Sequence, residues 1–294
     1  MNPSHTNAVN PVQALESFGQ SVWLDFIRRS LIDSGELKRL IEDEGVRGVT
    51  SNPAIFAQAM TDGADYQAAR EELGRRRDMD AKARYERLAI EDIQDAADLL
   101  QPIYARTKRR DGYVSLEVSP HLARDLRGTI DEARRLWDAV ERDNLMIKVP
   151  ATAEGIPAIA ELIGQGINVN VTLLFAQETY ERVAEAYLTG LEQVAARGGD
   201  VGRVASVASF FVSRIDTAVD RELAARLTIS ATGAEQAKLR SLLGTVAITN
   251  ARCAYQRYRR RFSGSRWERL AAQGAMTQRL LWASTGTKNP AYRD

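Results

Sequence analysis

Short apolar runs, each carrying one or two polar residues toward its C-terminal end, alternate along this chain with longer stretches of helical periodicity. The runs are 21–25, 48–52, 113–118, 145–149, 167–172, 204–210 and 279–284, which makes seven candidate strands. Between them, 35–44, 129–142, 177–196 and 215–227 read as amphipathic helices. Strict alternation of strand and helix predicts parallel strands joined by crossover helices, and the natural closed form is a (β/α)8 TIM barrel, an α/β fold. No Gly/Pro/Ser-rich linker interrupts the pattern, so 1–294 is expected to form one barrel domain. Three departures qualify it. Residues 1–11 read as a flexible tail, 53–112 form a helical insertion between the second and third strands that includes a helix over 80–100, and the pattern ends before an eighth strand. A barrel open at that place is expected to be fragile, because unpaired strand edges invite strand addition.

Composition removes several classes of function. The formal net charge of +1 argues against a protein that holds a polyanionic nucleic acid by bulk electrostatics. No apolar run approaches the roughly 20 residues that span a bilayer. The single cysteine, Cys253, forms no intramolecular disulfide, and the polar start lacks a signal-peptide core, so the expected location is the cytoplasm. Two histidines, His5 and His121, make a histidine shuttle or a multi-histidine metal site improbable chemistry for this chain. The chemistry is then expected to run on Lys, Asp, Glu or a cofactor, and the absence of a dinucleotide or P-loop glycine motif favours a cofactor-free reaction.

Barrel strands present reactive groups at their C-terminal ends, and polar residues recur there. Asp25 ends SVWLD, Ser51 and Asn52 end GVTSN, and Glu117 lies in YVSLEVSP. Lys148 lies in LMIKVPAT, Asn170 and Thr172 in NVNVTLLF, Ser209 and Arg214 in ASFFVSR, and Ser284 in LLWASTGTKN. Lys148 is the sharpest of these. Met146, Ile147, Val149 and Pro150 around it would desolvate the ammonium, which disfavours charge and favours a nucleophilic amine; the other reading is a strand-end lysine reaching back to water. Asp25 and Glu117 offer carboxylates for proton transfer or for pairing with arginine. Asn52 and Asn170 suit either a polyol or a helix cap. Arg214 suits either a phosphate or a pair with Asp216 or Asp220. Lys288, in a loop of small polar residues, suits an anion or a plain turn. The basic-aromatic run 255–262 reads as a solvated helix face.

Taken together, WLDFIRR, GVTSNPAIF, SLEVSP, MIKVPAT, NVTLLF, SFFVSRID and LLWASTGTKNP, in this order over 12–292, resemble transaldolase. The long connection after the second strand is similar to that of the bacterial long-chain type and of the transaldolase half of fused transaldolase–glucose-6-phosphate isomerases. The resemblance implies a class I aldolase-type barrel and a cofactor-free, metal-free transferase. Such an enzyme moves dihydroxyacetone between sugar phosphates in the pentose phosphate pathway, exchanging sedoheptulose 7-phosphate plus glyceraldehyde 3-phosphate with erythrose 4-phosphate plus fructose 6-phosphate. By motif match Lys148 is the Schiff-base lysine, Asp25 the acid/base, and Glu117 with Thr172 the pair that positions a catalytic water. Asn52 and Asn170 would hold the dihydroxyacetone hydroxyls. Ser209, Phe211 and Ser284 would contact substrate, with Phe210 standing where many relatives have Pro. Arg214 and, more loosely, Lys288 would bind phosphate. The implied partners are sugar phosphates, with no nucleic acid, no membrane and room for a homo-oligomer. Two alternatives stand beside this: a fructose-6-phosphate aldolase, against which Glu117 speaks because those relatives generally carry Gln there, and an inactive truncated barrel.

Overall fold

The computed structural model describes residues 10–229 and 232–292. His5, Asp294 and residues 1–9 of the expected tail lie outside them. The end of that tail is ordered: the Asn10 side chain accepts from the Val12 amide at 2.9 Å and caps α1 (Pro11–Ala14), while its amide donates to Glu44 at 2.7 Å.

The described residues group into two compact units, one drawn from Met1–Val118 with Glu132–Ile147, the other from Ser119–Asp131 with Lys148–Asp294. The first holds β1 (Val22–Leu24), α2 (Arg29–Asp33), α3 (Glu36–Glu42), β2 (Val46–Thr50), α4 (Pro53–Asp62), α5 (Gln67–Gly74), α6 (Ala81–Arg106) and β3 (Tyr113–Glu117). It also holds most of α7 (Leu126–Val140) and the first half of β4 (Leu145–Pro150). The strands follow in the order β1-β2-β3-β4, and β1–β2 and β2–β3 are parallel. Gly48 pairs with Trp23, and a Cβ there would come within 2.4 Å of the indole, so this strand pair needs the glycine. The expected strand 48–52 begins and ends two residues earlier, because the Asn52 carbonyl accepts the first helical bond of α4, from Phe56 at 2.9 Å.

The insertion is helical as expected. Its main helix, α6, starts where Asp80 accepts from the Ala83 amide at 2.8 Å. It runs past 100 and through Pro102 to Arg106, because Ile103 and Tyr104 continue the buried stripe formed by Leu88, Ile93, Ala96 and Leu100. Tyr104 then meets Tyr113 of β3 edge to face at 5.3 Å.

The second unit takes the rest of β4 and adds α8 (Gly155–Gly164), β5 (Val169–Leu174), α9 (Gln177–Ala196), β6 (Ser206–Phe211) and α10 (Ser213–Ile229). It closes with α11 (Gly233–Leu242), α12 (Val246–Arg261), α13 (Ser265–Ala271) and β7 (Arg279–Ala283). The order is β4-β5-β6-β7, and β5–β6 and β6–β7 are parallel. Its core is formed by Val169, Val171, Leu174, Val207, Ala208 and Phe210 against α8 and α9. All seven expected strands are present, and the fold class is α/β of the (β/α)8 barrel type.

The basic-aromatic run is only partly a solvated face. Arg257 and Arg261 pair with Glu181 and Glu185 of α9 at 2.6 and 2.9 Å, Phe262 meets Trp267 edge to face, and Arg259 and Arg260 are exposed. Among the described residues no helix is long and apolar enough to cross a membrane.

Candidate functional site

In the first unit the polar strand ends carry Asp25, Asn52 and Glu117. Asp25 follows β1 and is exposed, and the buried hydroxyl of Thr50, at the end of β2, donates to its Oδ1 at 3.1 Å. Thr50 went unread in the sequence, yet it fixes the direction of the carboxylate. Asn52 caps α4 through its backbone, so the capping and polyol readings are compatible: the carbonyl serves the helix and the amide side chain is a separate group. Glu117 ends β3 and is half-buried. Tyr85 of α6 stands in its field; burial and the negative charges of Glu117 and Glu86 push that phenol up to about 12, so it stays neutral at pH 7.

The β1–α2 connection is held by a network that the sequence did not disclose. Asp92 of α6 is fully buried, accepts from Arg29 Nε at 2.8 Å and from the Tyr66 hydroxyl at 2.5 Å, and the Arg29 amide donates to the Tyr66 oxygen at 2.8 Å. Arg29 also reaches Glu91 at 3.0 Å and lies 5.2 Å from the Tyr66 ring centroid. Burial holds the Asp92 carboxyl above the usual range against the opposing pull of Tyr66 and Arg29.

Removing the cation leaves an uncompensated buried charge, so Arg29→Ala is expected to destabilise the protein by about 3 kcal/mol. A carboxyl whose folded pKa lies above its unfolded value favours the folded state at low pH and loses that contribution as pH rises through the folded value. Without Arg29 the elevation grows, so the deficit is largest near neutrality and shrinks on acidification. Urea unfolding midpoints at about pH 7.5 and about pH 5 check this, and an equal deficit at both would contradict it.

In the second unit Lys148 is only 8% exposed, with Met146, Ile147 and Val149 at most 1% exposed around it. It sits at the C-terminal end of β4, as the pattern predicted. On the next two strands Asn170 and Ser209 are both buried, and the serine hydroxyl donates to Asn170 Oδ1 at 2.7 Å, which sets the orientation of the amide. Thr172, also buried, accepts through its carbonyl from Ala151 just after β4 at 2.9 Å. Lys148, Asn170, Thr172 and Ser209 are thus buried on three strands that are neighbours in the sheet, β4, β5 and β6.

Arg214, at the start of α10, is exposed and lies over the Phe211 ring, 4.6 Å from its centroid. This contact, rather than an ion pair with Asp216 or Asp220, is the one the structure describes for it. Ser284 follows β7 in the left-handed region (φ 54°), its hydroxyl 2.7 Å from that of Ser213 and its carbonyl accepting the Ser213 amide at 2.9 Å. Lys288 is exposed and lines a cavity of about 640 Å³ with Asp216, Asp220, Arg221 and Thr285. On that wall Asp216 and Asp220 oppose an anion while Arg221 and Lys288 favour one. Ser213 was missed by sequence reading, although its place inside SFFVSR beside Arg214 was a signal.

Comparison with known proteins gives a consistent result. The family model described as Transaldolase/Fructose-6-phosphate aldolase matches residues 22–294. The chain is 49% identical over 285 residues to a transaldolase of Trichodesmium erythraeum, an alignment that covers 97% of this chain and 75% of that protein. It is 49% identical to transaldolases of Thiobacillus denitrificans and Saccharopolyspora erythraea, over 97% and 96% of this chain and 77% and 74% of theirs. With the strand-end lysine, amides and hydroxyls in place and the match running through both units, the chain belongs to the transaldolase/fructose-6-phosphate aldolase family.

Proposed function

We propose that this protein is a transaldolase that transfers a dihydroxyacetone unit between sugar phosphates through a Schiff base on Lys148. The observation that carries the reading is a buried lysine in the C-terminal half of β4, with Asn170 and Thr172 buried on the adjacent β5 and Ser209 buried on β6.

The Lys148 amine adds to the ketose C2 carbonyl, and loss of water, assisted by a water held by Glu117 and Thr172, leaves an iminium. Asp25 takes the proton of the C4 hydroxyl, the C3–C4 bond breaks, and its electrons flow into the iminium to give an enamine while the aldose phosphate departs. Asn52 and Asn170 hold the hydroxyls of the three-carbon unit, with Ser209, Phe211 and Ser284 around it. The second aldose phosphate, bound by Arg214 with Lys288 as a lesser contact, accepts the unit by the reverse steps. None of these steps calls on a metal or an organic cofactor. The whole chain is read as one transferase domain, which the family match over 22–294 supports, and its expected location is the cytoplasm. Sugar phosphates are its partners, and nucleic acid is not.

With fructose 6-phosphate and erythrose 4-phosphate supplied together, sedoheptulose 7-phosphate is expected to accumulate. Free dihydroxyacetone in its place would establish the aldolase reading. Within the transfer reading, Arg214→Ala is expected to lower kcat/KM for phosphorylated acceptors by roughly ten- to a hundredfold, the worth of one charge-assisted hydrogen bond. Comparison of glyceraldehyde 3-phosphate with free glyceraldehyde checks it, and equal losses on both would remove Arg214 from the role.

A further inference from the structure

The segment that follows β5 leads by direct contacts to Arg214. Between Val171 and Leu174 the strand gains one residue over β6, where Val171 pairs with Ala208 and Leu174 with Phe210. The extra residue, Leu173, takes φ 61° and is exposed, an uncommon conformation for a bulky side chain in a strand. Bulges of this kind re-aim the side chains beyond them. Here the residue beyond is Phe175, whose ring stacks on Phe211 at 5.0 Å and 26°. Phe211 in turn lies under the Arg214 guanidinium. The Phe175 backbone is tied down separately, because Asn250 of α12 donates to its carbonyl at 2.8 Å and is itself held by Gln177 at 3.0 Å.

We infer that Phe175 is a positioning residue for phosphate recognition. The bulge aims it and Asn250 fixes it, and its ring keeps Phe211 in the orientation on which the Arg214 guanidinium rests. An unsupported arginine on a helix start samples many rotamers, and ordering it on phosphate costs side-chain entropy; a guanidinium already stacked has lost part of that freedom. The proposal rests on the phosphate role assigned to Arg214 above, and it reaches beyond that role to a residue that touches neither substrate nor Arg214.

The test is calorimetric titration with inorganic phosphate of the wild-type protein, Phe175→Leu, Phe175→Tyr and Arg214→Ala, with kcat/KM measured in parallel on glyceraldehyde 3-phosphate and glyceraldehyde. Phe175→Leu is expected to weaken phosphate binding about 3–10-fold, the worth of a stacked pair, and to lower kcat/KM on the phosphorylated acceptor more than on the free one. Phe175→Tyr, which keeps the ring, is expected to restore both. Adding Phe175→Leu to Arg214→Ala is expected to cost no further binding, since both act through one contact. Phosphate binding unchanged in Phe175→Leu, or losses that add in the double variant, would overturn the proposal. A wild-type protein that binds phosphate in this pattern but transfers no sugar unit would instead sink the transaldolase reading and leave the positioning role standing.

Discussion

Lys148→Ala is expected to abolish both the covalent intermediate and the transfer. Incubation of the wild-type protein with fructose 6-phosphate and borohydride should reduce the iminium and leave a three-carbon adduct on one lysine, the aldose phosphate having departed. Peptide mass mapping should place it on Lys148. Lys148→Arg is the informative companion, since it keeps a long basic side chain, but a guanidinium stays protonated at any working pH and cannot attack a carbonyl. Both variants should therefore be inactive, and addition of a chelator should change nothing in the wild type. The setting of Lys148 also bears on stability. Alanine leaves a void at this buried position, so the fold of Lys148→Ala is to be checked by circular dichroism before its inactivity is read as loss of the nucleophile. Transfer that survives in Lys148→Ala, or an adduct mapped to Lys288, would move the nucleophile elsewhere.

The strands and the polar residues at their ends were legible because the two signals coincide: an apolar run short enough for a strand stops at a polar side chain, and the following helix begins within a few residues. That is how Lys148, Asn170 and Ser209 were read, and all three are buried on adjacent strands. Strand boundaries moved where a backbone carbonyl was claimed by the next helix, as at Asn52. What was not legible was each partner set by tertiary contact. Asp92 is an acid on the apolar stripe of α6, four residues before Ala96 and three after Ala89, a misfit that pointed to a buried pair but not to Arg29. Thr50 reads as an ordinary strand threonine until Asp25 is beside it. The bulge at Leu173 leaves no mark in NVTLLF, since an extra residue in a uniformly apolar run changes no pattern, only the register against β6. Phe175 was overlooked for that reason.

Asp25→Ala separates the two halves of the proposed chemistry. The carboxylate is exposed after β1, and the Thr50 hydroxyl donates to its Oδ1. With Oδ1 engaged, Oδ2 is the atom suited to take the C4 hydroxyl proton, and loss of a general base of this kind costs roughly 10²–10⁴-fold in rate. Schiff-base formation needs no proton transfer at C4, so the variant should still be trapped by borohydride on Lys148, now carrying the uncleaved six-carbon ketose rather than the three-carbon unit. The mass of the trapped adduct reads out which bond step failed. Thr50→Val, which removes only the hydrogen bond that orients the carboxylate, should give a smaller loss in kcat with the same shift toward the six-carbon adduct. If Asp25→Ala forms no adduct at all, its carboxylate serves the amine of Lys148 and not the C4 hydroxyl, and the proton acceptor for cleavage has to be sought among the other strand ends, with Glu117 the first candidate to test.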